Sequence, residues 1–289
     1  MQRYAIVGPG SFYNVRVGTG RLLAFVAVVL VTGCGAILGI HDPEIVGVEE
    51  AGVTPDVDAS TTEDADVVTP GGPSTMVTVP RPDGGGQTFQ IDVTEVTQAQ
   101  YADFLARGTE GILQLPQCNT NASFRPAAGF TPDLTPNHPV SGVDWCDAYA
   151  YCQYVGKRLC GNAASGVPGA FTDTGVVARS EWLAACTKGG ENAYPYGAQE
   201  RPNACNTTGA DDAGAILDVG AKRFCEGGYT GVMDLVGNVA EWIDLCDQSQ
   251  CATMGGSYSF PTSGIVACRT VAGHGRLEAF ADIGFRCCR

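Results

Sequence analysis

The chain has 289 residues, with 31 acidic against 17 basic side chains and a formal net charge of −14. Nine of the acids precede Met76, and residues 76–289 alone still hold 22 acids against 14 bases. That balance excludes an electrostatic attraction to nucleic acid or to an anionic lipid surface. From the N-terminus, Arg16 and Arg21 precede an unbroken apolar run, Leu22 to Val31, followed by Thr32, Gly33 and Cys34. A basic region, a short apolar stretch and a small residue before a cleavage point describe an export signal. The run is about half the length needed to span a bilayer as a helix. Val31-Thr32-Gly33-Cys34 is similar to a bacterial lipobox, so residues 1–34 are expected to be a lipoprotein signal peptide with Cys34 acylated. The acyl chains would anchor the protein at the membrane, each buried CH₂ contributing about 0.8 kcal/mol. The expected location is extracytoplasmic, on the cell envelope.

Residues 35–75 read as an acidic tether. From 41 to 75 there is no Phe, Tyr, Trp, Lys or Arg. Such a segment buries too little apolar area to offset its ordering entropy, and its like charges extend it. The globular domain is expected over 76–289.

Within that domain, Thr75–Pro80 and Thr88–Val93 alternate apolar and polar residues as strands do. Thr97 and Gln100 fit a capping box opening a helix that stops at Gly108. A second helix is expected over Val143–Val155, since Trp145, Ala148, Tyr149, Cys152 and Val155 recur at helical spacing. A third runs from a Ser180 cap through Trp182, Leu183 and Cys186 to Gly189. Elsewhere Gly, Asn, Pro and Asp are frequent, which predicts an α+β domain dominated by long loops.

Thirteen cysteines are many for this length. Cys34 stands apart, and twelve in an exported domain read as disulfides. Thiolate metal sites usually show C-x₂-C spacings and histidine partners, which are missing here. Only His138 and His274 fall in 76–289, in scattered contexts, so no Ser/His/acid triad is argued. His138 reads as a packed loop residue and His274 as a surface one. Gly84-Gly85-Gly86 lacks the strand-to-helix context and lysine of a phosphate loop.

Several patterns follow one another in order. They are Ile91-Asp92-Val93-Thr94-Glu95-Val96-Thr97, His138-Pro139-Val140, Val143-Asp144-Trp145 and Gly156-Lys157-Arg158-Leu159. Then come Ser180-Glu181-Trp182, Tyr194-Pro195-Tyr196-Gly197, Val236-Gly237-Asn238-Val239-Ala240-Glu241-Trp242, Gly255-Gly256-Ser257-Tyr258 and Ile283-Gly284-Phe285-Arg286. Each is weak alone, but the ordered set resembles the sulfatase-modifying-factor, or formylglycine-generating-enzyme-like, family. The resemblance runs from Phe89 to the C-terminus. It implies a C-type-lectin-like α+β fold with low regular secondary structure.

In catalytic members a copper-dependent oxidase converts a substrate cysteine to formylglycine, and two cysteines just beyond the Gly-Gly-Ser motif carry the metal. Here Ser259–Ala267 contains no cysteine, and Phe260 stands where the first would fall. Copper is therefore not expected. The resemblance implies disulfides Cys152–Cys287 and Cys186–Cys268. Among the other cysteines Cys246–Cys251 is a reasonable local bridge and Cys205–Cys225 a medium one. Cys118, Cys146, Cys160 and Cys288 allow three connectivities. Cys160–Ala178 is an insertion relative to the family pattern.

Calcium is the cofactor the resemblance implies, held by Asn238, the Val239 carbonyl and Glu241, with a second site at Asn206 and Asp212. Oxygen ligands from flexible loops suit that ion; the alternative is a turn and a solvated face. The expected function is a non-catalytic binding or structural module with a peptide, glycan or envelope-protein ligand. The alternative is a formylglycine-generating-type oxidase working through a rearranged site on a protein cysteine.

Overall fold

Strand β1 (Met76–Pro80) folds back on β2 (Thr88–Asp92) as an antiparallel hairpin in which Met76 faces Asp92 and Pro80 faces Thr88. This is a computed structural model, and it describes residues 74–289 except 83–84, 108, 110, 113, 209–213 and 260–265. The expected signal peptide, Cys34, the tether as far as residue 73 and Asp212 lie outside the described residues, as does Gly108.

Helix α1 (Gln98–Ala106) starts where Thr97 accepts from the Gln100 amide and the Gln100 side chain accepts from the Thr97 amide. Helix α2 (Trp145–Tyr154) opens two residues later than its apolar spacing suggested. Asp144 and Asp147 form a second capping box there, with extended backbone at Asp144. Helix α3 (Glu181–Cys186) is capped by Ser180 and ends three residues before Gly189, where the Thr187 hydroxyl takes the Leu183 carbonyl.

Two small sheets organise the loops. The first has the order β1-β2-β9-β3, with β3 at Arg158–Leu159 and β9 at Cys287–Cys288, so the C-terminus is threaded between β2 and β3. The second is built on β5 (Ala240–Cys246). Beside β5 run β4 (Gly169–Ala170), β6 (Cys251–Met254) and β8 (Ile283–Phe285), and β7 (Val271–His274) lies outside β6. β8 is parallel to β5, which places Phe285 opposite Trp242.

Trp145, Trp182 and Trp242 are all buried. Each indole N–H finds an acceptor: Ile243 O for Trp145, Glu241 for Trp182 and Val143 O for Trp242. Such pairing is what burial of an indole requires.

All twelve cysteines of the domain are paired. The bridges are Cys118–Cys146, Cys152–Cys287, Cys160–Cys288, Cys186–Cys268, Cys205–Cys225 and Cys246–Cys251. Three of them close loops of 82 to 135 residues onto Cys268, Cys287 and Cys288. They tie α2, β3 and α3 to the C-terminal segment, work that short regular elements cannot do alone.

Candidate functional site

The site is assembled over a buried charge centre. Arg286, immediately after β8, is fully buried. Its Nε donates to Glu241 Oε2 at 2.8 Å and its Nη2 to Glu241 Oε1 at 2.7 Å. The remaining donors take the carbonyls of Asp92, Val93 and Met233 at 2.8 to 3.1 Å. Trp182 Nε1 adds a bond of 2.8 Å to Glu241 Oε2. A buried ion pair offsets its desolvation only when such bonds are complete, and here one guanidinium joins the β2 end, the turn before Asp234, and β5.

Glu95 sits beside this pair, its Oε1 accepting from Asn238 Nδ2 at 3.1 Å and its Oε2 4.0 Å from Arg286 Nη2. Burial, reinforced by the Asp234 charge, raises the Glu95 carboxyl well above its ordinary value. Burial likewise lifts Asp234 to about 6.

The residues expected to bind calcium are used differently. Gly237 and Asn238 both have positive φ, 79° and 53°, and turn the chain into β5. A side chain at Gly237 would meet Asn206 O at 2.2 Å, so only glycine fits. Asn238 Oδ1 accepts from Asn206 Nδ2 at 3.1 Å and from the Leu217 amide at 3.0 Å. Both Glu241 oxygens serve Arg286. A calcium ion at Glu241 would have to displace a guanidinium and an indole N–H, so the ion does not fit these side chains as assigned. Val239 is buried, and Asn206 Oδ1 is the one side-chain oxygen of the set without a donor. Among the described residues no three His, Cys, Asp or Glu side chains gather as metal ligands. Copper fits no better, because a soft Cu(I) ion needs thiolates and the twelve cysteines are disulfide-bonded.

Above this centre the chain leaves β6 through Gly255 and Gly256, at φ 86° and 66°. Ser257 and Ser259 then both donate to one oxygen, Asp282 Oδ2, at 2.7 Å each. The Tyr258 amide donates to Asn238 O at 3.0 Å, fixing this strip to the buried turn. Ser257 is buried, Ser259 exposed and Asp282 half-buried, so the cluster opens on the surface. His274, half-buried in β7 rather than on a loop surface, has its ring 4.7 Å from the Phe280 ring and 5.8 Å from that of Trp242. Burial lowers its pKa, which keeps the imidazole neutral near pH 7. Hydroxyls sharing a carboxylate beside a neutral imidazole and an exposed aromatic ring can orient a polar ligand. No hydrogen bond links His274 to either serine among the described residues, so a base-activated nucleophile is not assembled.

Sequence reasoning missed Asp282, whose only signal is its place directly before Ile283-Gly284-Phe285-Arg286. It also missed the Glu241–Arg286 pair, since neither motif names its partner. His138 lies with its Nε2 3.6 Å from Asp218, away from these groups in the chain.

Fold and site together define a disulfide-stapled α+β domain of C-type-lectin-like build, with a buried Glu–Arg centre under a short serine strip. The chain belongs to the sulfatase-modifying-factor family: residues 53–289 match the domain described as sulfatase-modifying factor enzyme 1-like. It is 33% identical over 119 residues to the formylglycine-generating enzyme of Mus musculus, covering 37% of this chain and 27% of that one. To the enzyme of the same name from Thermomonospora curvata it is 34% identical over 120 residues, covering 37% and 33%. The matched region thus spans only 27% to 33% of the length of these curated relatives. The crystal structure of CarF superposes with a TM-score of 0.51 at 22% identity, covering 75% of this chain and 98% of that one, which shows the shared fold.

Proposed function

We propose that the protein is an exported lipoprotein, anchored through Cys34, whose domain over 76–289 is a binding or structural module without the family's oxidase chemistry. Residues 1–34 supply the signal and 35–75 a spacer that holds the domain off the membrane. The observation that carries the reading is the state of the cysteines. The stretch after Gly255-Gly256-Ser257 has none, and the twelve elsewhere in the domain pair into six disulfides, leaving no thiolates for a copper centre. The serine strip with Asp282 offers a surface for a peptide, glycan or envelope-protein ligand.

Alkylation and intact mass of the purified protein, without reductant, test this. No free thiol among residues 76–289, together with no Cu(I) binding at the domain, is the expected result. Two free thiols, copper bound to them and oxidation of a cysteine peptide would overturn the reading in favour of the oxidase.

A further inference from the structure

Of the twelve cysteines of the domain, eleven are at most 4% exposed, and Cys246 alone is half-buried and open to solvent. Its bridge to Cys251 also closes the shortest loop, a separation of 5 residues against 20 to 135 for the other five. On a chain-entropy reckoning that is the smallest constraint any of the six imposes. The hairpin it spans is held without it. The Asp247 amide donates to Gln250 O at 2.9 Å, and Asp247 Oδ1 accepts from the amides of Ser249 and Gln250 at 2.7 and 2.9 Å. A bridge that solvent reaches and the fold can spare is the kind that exchanges with thiols.

Strand register adds a partner. Cys246 faces Cys251 across the β5–β6 pair, and Cys251 faces His274 across the β6–β7 pair. Residues directly opposite in antiparallel strands share a face, with Cβ atoms about 4.5–5.5 Å apart. The two sulfurs and the imidazole therefore stand in one row across three strands. No hydrogen bond among the described residues engages the His274 ring, which leaves a neutral imidazole with a free N–H beside Cys251. Cys251 is fully buried, so a thiolate formed there needs a donor, and His274 is the side chain that register supplies. Arg276, on the Asp247 and Gln248 carbonyls, is offset by the Asp244 and Asp247 carboxylates. Access and the imidazole distinguish the site, not net charge.

We propose that Cys246–Cys251 is a redox site that exchanges with an incoming dithiol, with His274 as the hydrogen-bond donor to the leaving sulfur. A substrate thiolate attacks Cys246 Sγ and forms a mixed disulfide as the Cys246–Cys251 bond breaks. The electron pair goes to Cys251 Sγ, which takes from water the proton that the substrate thiol gave up. The second substrate thiol then attacks the substrate sulfur of the mixed disulfide, and its proton passes to the released Cys246. The dithiol leaves as a disulfide, oxidised by two electrons, and the protein pair is left as two thiols.

The test adds limiting dithiothreitol to the purified oxidised protein, then alkylates with iodoacetamide and maps the labelled peptides. Cys246 and Cys251 should be labelled before any other cysteine, with one dithiothreitol consumed per chain and the far-UV circular dichroism retained. His274→Ala should slow this step about tenfold, the worth of a hydrogen bond to a charged group. His274→Gln keeps a side-chain N–H and should recover most of the rate. A histidine that merely packs would act in the opposite sense, because its removal would open the bridge to solvent and speed reduction. Another pair reduced first, all six reduced together with unfolding, or His274→Ala reacting at least as fast as the unchanged protein would overturn the proposal. The pair is oxidised until dithiothreitol is added, so the free-thiol count that tests the proposed function is read independently.

Discussion

Replacing Arg286 by methionine removes five N–H donors from the centre of the domain and leaves the Glu241 carboxylate buried with only the Trp182 indole as donor. Breaking a buried ion pair from one side costs about 3–5 kcal/mol. The carbonyls of Asp92, Val93 and Met233 lose a bond as well; Val93 O keeps the Met233 amide at 2.8 Å, and each buried acceptor left without a donor costs about 1–3 kcal/mol. These terms are not additive, but a loss of at least about 5 kcal/mol is expected, comparable to the whole stability of many domains. Urea unfolding of the oxidised protein, followed by tryptophan fluorescence, would measure it. Arg286→Lys should fall between, because lysine keeps the charge without the planar fork. Adding Glu241→Leu to Arg286→Met removes the stranded charge and should recover several kcal/mol. If the double variant is as unstable as the single one, the carboxylate is not the cause. A loss below about 1 kcal/mol in Arg286→Met would refute the whole account.

The disulfides should differ in worth with the loops they close. On a chain-entropy reckoning, the pair Cys152→Ser and Cys287→Ser should cost about 5 kcal/mol and the pair Cys205→Ser and Cys225→Ser about 3 kcal/mol, for separations of 135 and 20 residues. Equal or reversed losses of urea stability would contradict that ordering. The α2 capping box makes stability depend on pH: burial raises Asp144 to about 6, and burial with the Asp144 charge raises Asp147 to about 7. Both lie above the unfolded value of about 3.9, so the folded state binds the extra protons. Their contribution is complete below about pH 4 and is lost as pH rises through 6 and 7. Asp147→Asn should flatten stability measured between pH 4 and 8, and an unchanged slope would count against the assignment. Gly237→Ala forces a Cβ against Asn206 O at a left-handed φ, and should cost about 3 kcal/mol or more of thermal stability; a shift under about 1 kcal/mol would show that the turn gives way.

What was legible in the sequence was local. Thr97 with Gln100 announces α1 because a capping box is complete within four residues. The spacing of Trp145, Ala148 and Cys152 announces α2. Asp144-x-x-Asp147 is equally local but does not match the usual box, because a shorter aspartate stands where a glutamate or glutamine normally reaches back. Pairing was less legible. Cys118–Cys146 and Cys160–Cys288 depend on how α2 and the C-terminus approach, and no spacing within the chain encodes that. The same holds for Arg286 and Glu241, 45 residues apart, which meet only because β8 lies parallel to β5.

The calcium assignment shows what that costs in functional terms. Gly237-Asn238-Val239-Ala240-Glu241 offers oxygens at a credible spacing, but spacing does not say where a side chain points. Asn238 sits at positive φ and turns toward Asn206 and Leu217, while Glu241 lies in β5 and turns toward Arg286. Asn238, Glu241 and Arg286, three of the motif residues that identify the family, thus hold its fold together through their hydrogen bonds. Of the surface cluster proposed above to meet a ligand, only Ser257 stands inside a motif. Asp282 precedes its motif by one residue and Ser259 lies just beyond another. A search for function by substitution should begin at those positions, because changes at Glu241 or Arg286 would lower activity of any kind by unfolding the domain.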